Sequence, residues 1–403
     1  MPTGIPQGAG LYLAALQFLF TLGWTVYAIF LPQLAGAVGI PRAWVIWILL
    51  LDQVVFTVTD YAMGAAADRF ATLVGRLGHA VAWITALSCV AFAALPVVAG
   101  FGPAAGPVLL GLIVVWAATS SALRAPPLML LGKYAARSNV PWLASLALLG
   151  LGVAGALAPY LTVALRGIDP RVPFALSSLV LLLASLALAR VERGLAAPAS
   201  ARPTAQRVVG GALSDRAAIF LVVIAVLGVG FQVHGNLNSA AQFLRFARPT
   251  ELDLLLPIFW IGFNVAMFPT SLATRRWGGL AVMGAAGVIG GAATYVAALA
   301  PSLEVLIAAQ LTAGAAWGAI SMSAVSAALA IGHGGREGRL VGALYSAFAL
   351  ATVVRIGLVA SGAAGDRNYA ALLAWTPPVT WIAGGAVLLV LFVAAPTRRP
   401  ATP

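Results

Sequence analysis

The sequence predicts an all-α membrane protein of twelve transmembrane helices, arranged as two pseudo-symmetric six-helix bundles. Three observations carry that reading. Of the 403 residues, 62% are hydrophobic and only 8% are charged, with a mean hydropathy of +0.99, where a soluble protein carries roughly 25% charged residues. The apolar residues run without interruption for about 20 positions at a time, the length that crosses a bilayer as a helix. Strands of a membrane barrel would instead alternate over about ten residues. A charged loop in the first half also recurs, degraded, at the matching place in the second half.

Taken in order, the spans of the first half are Leu11–Leu31, Trp44–Met63, Ala80–Ala99, Pro107–Leu131, Pro141–Leu161 and Val172–Val191. The longest non-apolar stretch follows, Glu192–Arg216, with Pro198, Pro203 and the basic residues Arg193, Arg202, Arg207 and Arg216. Its prolines and small charged residues argue for a linker rather than a packed domain. Ser214 is placed to cap the next helix, and Thr204–Leu213 is placed to lie on a membrane surface with Arg207 against anionic lipid. The second half has Ala217–Asn238, Leu252–Leu272, Gly279–Leu299, Leu303–Ile331, Leu340–Gly362 and Leu373–Ala395. The domains are therefore residues 1–191, the linker 192–216, and 217–403.

The net charge is +12. The basic residues are scattered in ones and twos between apolar runs, with no basic stripe interleaved with aromatics, so they read as orientation signals rather than a nucleic-acid surface. Taking both termini, the linker and the even-numbered loops as one side gives 15 Lys and Arg, against 6 on the other side. By the positive-inside rule the first side is cytoplasmic, and the chain is expected in the inner membrane with both termini inside. Cys89 is the single cysteine and lies within an apolar run, so no intramolecular disulfide forms. Leu34-Ala35-Gly36-Ala37 looks like a signal-peptidase site, but the first ten residues carry no Lys or Arg, and the first span is read as a retained helix.

The recurring loop is Gly64-Ala65-Ala66-Ala67-Asp68-Arg69-Phe70-Ala71, between spans two and three. An acid-base pair beside a small residue makes a tight polar hairpin at a membrane face; Asp68 suits a helix start and Arg69 a helix end or phosphate. Its echo is Thr270-Ser271-Leu272-Ala273-Thr274-Arg275-Arg276-Trp277-Gly278. Setting Thr274 on Asp68 is an offset of 206 residues, which also carries Leu11 onto Ala217. The halves are therefore parallel repeats, a known transporter architecture. The loop resembles the Gly-x-x-x-Asp-Arg-x-Gly-Arg signature of the major facilitator superfamily. Gly64, Asp68 and Arg69 match; Ala71 replaces the second Gly, and Gly75-Arg76 comes four residues late. With six plus six spans, the linker and the echo, the resemblance covers nearly the whole chain. It implies two bundles rocking about a central cavity lined by spans one, four, seven and ten, with Asp68 working against the start of span eleven.

Small residues four apart, Gly150, Ala154 and Ala158 before Pro159, Gly287 with Gly291, and Gly314 with Gly318, allow close helix approach. Ala154-x-x-x-Ala158-Pro159 is also similar to the Gly-x-x-x-Gly-Pro motif of proton-driven exporters. Candidate cavity residues are Gln17, Trp24 and Tyr27 on span one, Gln232, His234 and Asn236 on span seven, Asn264 on span eight, and Gln310 and Trp317 on span ten. Each has a packing alternative; His234 is either a structural hydrogen-bonded group or a proton carrier. Charges at bilayer depth are costly and mark function. Asp60 and Arg124 lie at similar depth in one bundle and read as a structural pair, with Arg124 alternatively a gate or anion site. Asp52 and Arg355 lie roughly 12 Å and roughly 10 Å from the opposite face. They read as a bridge that closes that face and opens on protonation, or else as permanently packed residues.

No Walker A loop, His-Glu-x-x-His, Cys cluster or Gly-x-Ser-x-Gly elbow is present, so no enzyme, cofactor or metal site is expected. The expected function is secondary active transport of a small organic solute, coupled to protons, with efflux of amphipathic compounds ahead. Organic-anion transport with Arg355 or Arg124 as counter-charge is the alternative; a lipid flippase or non-transporting membrane protein is more remote. Expected partners are a small-molecule substrate, protons and membrane lipids, with no nucleic acid, and the chain is expected to act as a monomer.

Overall fold

The computed structural model describes residues 7–70, 76–196 and 214–394. They form twelve helices long and apolar enough to cross a membrane: α1 Gln7–Ala37, α2 Arg42–Phe70, α3 Arg76–Ala99, α4 Pro103–Tyr134, α5 Val140–Ala164, α6 Arg171–Ala196, α7 Asp215–Phe243, α8 Pro249–Trp277, α9 Gly279–Leu299, α10 Leu303–Ile331, α11 Glu337–Ala360 and α12 Arg367–Val393. Most run a turn or more beyond the apolar stretches, because backbone hydrogen bonding continues into residues that hydropathy leaves out.

Local chemistry sets the ends and the irregularities. The Ser214 hydroxyl accepts the N–H of Ala217 at the start of α7, and Asp366 accepts that of Asn368 at the start of α12. Gly278, at φ +86 and ψ 159, turns α8 directly into α9 through a conformation open only to glycine. In α4 a tight turn at Ser121–Leu123 precedes Pro126 and Pro127. Pro127 has no N–H to give the carbonyl of Leu123, and the Gln17 side chain donates to that carbonyl instead, at 3.0 Å. The α7 helix widens into a π turn over His234–Asn238.

Both ends of the expected linker differ from expectation. The α6 helix continues to Ala196, so Glu192 does not open the linker. It is buried, accepting the N–H of Gly78 at the start of α3 at 2.8 Å, with the Tyr134 hydroxyl 3.5 Å away. Arg216 likewise belongs to α7 and donates to the last turn of α12 at Ala394. The expected surface helix at Thr204–Leu213, with Arg202 and Arg207, lies outside the described residues, as do Ala71 and Gly75.

Lipid offers helices no hydrophobic reason to associate, so contact depends on close packing. Small residues supply it. A Cβ on Gly150 of α5 would strike the carbonyl of Ala14 on α1, and one on Gly314 of α10 would strike that of Phe259 on α8. Gly287 of α9 and Gly385 of α12 are similarly pressed together. Large apolar side chains such as Val58, Trp83, Val90, Val265 and Val390 point outward, where lipid covers them. The halves meet along two helix pairs, α2 with α11 and α5 with α8. The 206-residue offset relates these pairs, since it takes α2 to α8 and α5 to α11.

Replacing Gly314 by Ala should therefore cost about 1–3 kcal/mol by overpacking. The same change at Gly111, where a Cβ meets nothing within 4 Å, should not. Thermal unfolding of the two variants in detergent distinguishes them.

Candidate functional site

The functional region lies between the halves and is built from its closed end upward. At the end bearing the linker, Gly64 and Gly342 bring α2 and α11 into backbone contact: a Cβ on Gly64 would strike the carbonyl of Gly338. This approach carries Asp68 to the start of α11. Its two carboxylate oxygens accept the N–H groups of Gly338 at 2.7 Å and Arg339 at 2.8 Å, the unpaired donors of a helix N-terminus. Arg339 in turn donates to the Tyr61 hydroxyl at 2.7 Å. Arg69 is exposed beside this latch. Between α5 and α8 the same end is filled by a continuous apolar core that includes Leu143, Ala147, Phe263 and Met267.

Toward the opposite end the halves part around a cavity of about 600 Å³. Its wall comes from α1 (Trp24, Thr25, Ala28, Ile29), α5 (Gly155, Ala158, Pro159, Thr162), α7 (Phe231, Gly235, Asn236, Ser239) and α8 (Asp253, Leu256, Phe259, Trp260). Below it lies an inner chamber of about 180 Å³, walled by Arg124 of α4, Gln232 of α7, Trp317 and Ser321 of α10, and Tyr345, Phe348 and Thr352 of α11, among others. Phe231 and Trp260 border both spaces and form the partition between them. Phe231 is held flat against Trp317, rings 4.4 Å apart at 6°, and Trp317 stacks on Trp381. The expected lining by spans one, four, seven and ten is thus corrected: α4 and α10 reach only the inner chamber, and α5 and α8 share the outer wall with α1 and α7.

The intramembrane charges fall into two arrangements. Arg124 and Asp60 are brought together, 2.8 Å apart. The guanidinium also sits over the rings of Phe56 from α2 at 4.8 Å and Tyr345 from α11 at 5.0 Å. Asp52 and Arg355 are not brought together. The buried Asp52 accepts the Tyr27 hydroxyl at 2.7 Å. Arg355 donates to Gln232 at 2.9 Å, and Gln232 also receives Asn236 and donates to Thr352.

Several expected cavity residues line neither space. Gln17 fills the hydrogen bond that Pro127 leaves open, and Tyr27 is fully buried between Asp52 and Trp116. His234 and Gln310 pair at 3.0 Å, with Gln242 continuing the chain inside the second half. Asn264 donates to its own helix at Trp260, where α8 presses on Gly152 of α5. Trp24 and Asn236 do border the outer cavity, and Gln232 and Trp317 the inner one. Phe231, Trp260 and Tyr345 were missed by the sequence reading: on an apolar helix, an aromatic facing a cavity has the same signal as one facing lipid.

Asp68→Asn should weaken the latch, because an amide offers one acceptor to two N–H donors. Spin labels at positions 137 and 333, one in each half at this end, should then show a population at longer distance than in the parent. An unchanged distribution would remove the latch role.

No protein-family model matches the chain, and no curated protein is similar enough to match. Solved structures do. The human organic anion transporter MFSD10 (TETRAN) superposes with TM-score 0.70 at 16% identity, over 96% of this chain and 99% of that one. A bacterial homologue of the iron transporter ferroportin, outward-facing and soaked with iron, gives 0.75 at 16% identity over the same shares. The proton:xylose symporter XylE, bound to a bromodeoxyglucose, gives 0.66 at 14% identity, over 96% and 95%. Helix count, paired halves and superposition over nearly the whole chain agree: this protein has the major facilitator superfamily fold.

Proposed function

We propose that the protein is a secondary active transporter, moving a small organic solute across the cytoplasmic membrane by alternating access with proton coupling. The observation that carries this reading is the path between the halves, shut by the Asp68 latch at one end and open through the larger cavity at the other. A receptor or an enzyme needs a pocket; it does not need a pocket that spans a two-fold interface with a closing device at one end. The excess of Lys and Arg makes the latched end cytoplasmic, so the described state is open to the outside. The three neighbours are transporters of an organic anion, iron and xylose, which supports transport and leaves the solute to the site.

The outer wall is apolar and aromatic, with hydroxyl and amide groups, and suits an amphipathic solute; we take efflux as its direction. A second reading, an organic anion, is favoured by Arg124 on the wall of the inner chamber. The pairing of Asp52 with Arg355 is proposed for the opposite state. With the outer end open each holds a neutral partner, Tyr27 or Gln232; closure would bring two costly charges together.

In a Cys89→Ser background, Asn236→Cys should react with a membrane-impermeant maleimide added outside and be protected by solutes that raise the thermal stability of the purified protein. A panel of organic anions and amphipathic cations supplies those solutes. Reaction only from the inside, or no stabilising compound in the panel, refutes the reading. Asp52→Asn should hold the outer end open, so that this labelling becomes faster; labelling at the parent rate would remove the Asp52–Arg355 gate.

A further inference from the structure

The inner chamber has one charged group on its wall, Arg124. That guanidinium already has a partner, because the Asp60 carboxylate lies 2.8 Å away. Asp60 is fully buried. The groups that face it are Arg124 and the Ser121 hydroxyl from α4, and Tyr345 from α11. The backbone of α11 presses on it at Gly342, where a Cβ would fall 2.5 Å from the Asp60 carbonyl. Of the other charges on these helices, Asp52 accepts from Tyr27, Asp68 holds the N-terminus of α11, Lys133 donates to Tyr134, Glu337 accepts from Gly334 and Gly335, Arg339 donates to Tyr61 and Arg355 to Gln232, while Arg42 and Arg69 are exposed. Asp60 and Arg124 therefore form a neutral unit at the edge of an empty chamber.

The charge of an occupant then matters. A neutral solute leaves the unit as it is. An anion drawn to Arg124 makes a cluster of two negative charges and one positive, with no second cation on the wall. A net charge at this depth is expensive. One proton on Asp60 restores neutrality and releases guanidinium N–H groups to hold the anion in the paired geometry that arginine and carboxylate favour.

We propose that Asp60 is the proton-binding residue of this protein, and that the inner chamber takes a small monocarboxylate on Arg124, one proton binding to Asp60 for each anion bound. This deepens the organic-anion reading above, under which proton and anion cross together, and stands as the alternative to efflux. A space of about 180 Å³ admits a single-ring or short-chain acid. Phe231, Trp317 and Phe348 receive its apolar body, while Gln232 has one amide N–H beyond the one it gives Thr352. Phe56 and Tyr345, whose rings both lie against the guanidinium, come from different halves, so exchange of its partner acts directly on the interface that must open.

The sign of the pH effect follows. Asp60 is ionised beside Arg124 in the empty chamber and protonated in the loaded one. Binding therefore takes up a proton, and the apparent affinity falls by about tenfold per pH unit between the two protonation midpoints.

The test uses the purified full chain in detergent with benzoate as probe and benzamide as its neutral counterpart. Affinity is measured by calorimetry from about pH 5.5 to 8, a range in which benzoate stays ionised, and proton uptake with a pH indicator in weak buffer. The expected results are benzoate binding at least about tenfold tighter than benzamide, uptake approaching one proton per benzoate, and affinity that falls as pH rises. Asp60→Asn should bind benzoate without proton uptake and with a flat pH profile, and Arg124→Gln should lose benzoate binding. As a control independent of the folding of Asp60→Asn, the wild type is also followed by infrared difference spectroscopy with ¹³C-carboxyl benzoate, where a protonated protein carboxyl must appear on binding. No benzoate binding, equal binding of benzamide, or benzoate binding without proton uptake and without that band overturns the proposal. So does proton uptake that persists in Asp60→Asn. Labelling of Asn236→Cys does not depend on benzoate. A failure here with that labelling intact removes the coupling site alone, whereas failure of both removes the transport reading.

Discussion

A carboxylate inside a membrane protein must be met by the protein, because lipid cannot solvate it, and the structure is organised by how each one is met. Three of them are satisfied by backbone N–H groups at the starts of helices or in tight loops. Asp68 holds the first N–H groups of α11, Glu192 that of Gly78 at the start of α3, and Glu337 those of Gly334 and Gly335. A helix N-terminus is an anion site by construction. Among the described residues Asp60 is met differently, by the guanidinium of Arg124 at 2.8 Å.

The two halves share a repeat yet do not close alike. Under the offset that relates them, Thr274 stands where Asp68 stands. Its hydroxyl bonds Ser323 of α10 at 2.8 Å, within its own half. Among the described residues the α5–α8 seam shows no charged latch and is closed by apolar packing, including Trp142 against Phe268. A packed apolar seam can slide and part with small losses per contact. The α2–α11 seam has directed hydrogen bonds that are either made or broken. The symmetric scaffold thus has a rolling contact on one side and a catch on the other.

The architecture was legible because its signals are physical requirements of lipid: long apolar runs, a charge bias between loops, and a repeated hairpin. The nearness of Asp60 and Arg124 was legible for a related reason, since a charge at depth is a cost that needs a neighbour at matching height, whereas that of Asp68 and span eleven was implied by the family resemblance. Depth alone does not suffice, as Asp52 and Arg355 illustrate. Counting residues gives height at about 1.5 Å each, but each step also turns the side chain by about 100°, and which face meets which helix is a tertiary fact. Tyr27 and Gln232 intervene, and neither carries a charge to announce itself. Gln17 was misread for another reason. A polar residue on a cavity helix looked like a solute contact, while the missing N–H of Pro127, 110 residues away in the chain, was a demand only the fold connects to it.

The latch also explains why the described state rests open at the end away from the linker. Two hydrogen bonds from N–H groups to a carboxylate, each worth about 1.5–3 kcal/mol, together with the Tyr61–Arg339 contact, favour closure at the linker end. Among the described residues the opposite end shows no comparable bond between the halves. To reverse the state, contacts worth as much must form at the opposite end or in the path, since an occupant shifts an equilibrium only by its difference in affinity for the two forms. The inner chamber, at about 180 Å³ the smaller of the two spaces, is walled by α4 and α5 from one half and α7, α8, α10 and α11 from the other. A small occupant that has passed Phe231 and Trp260 contacts both halves at once, so the partition is where entry of the solute becomes work on the interface.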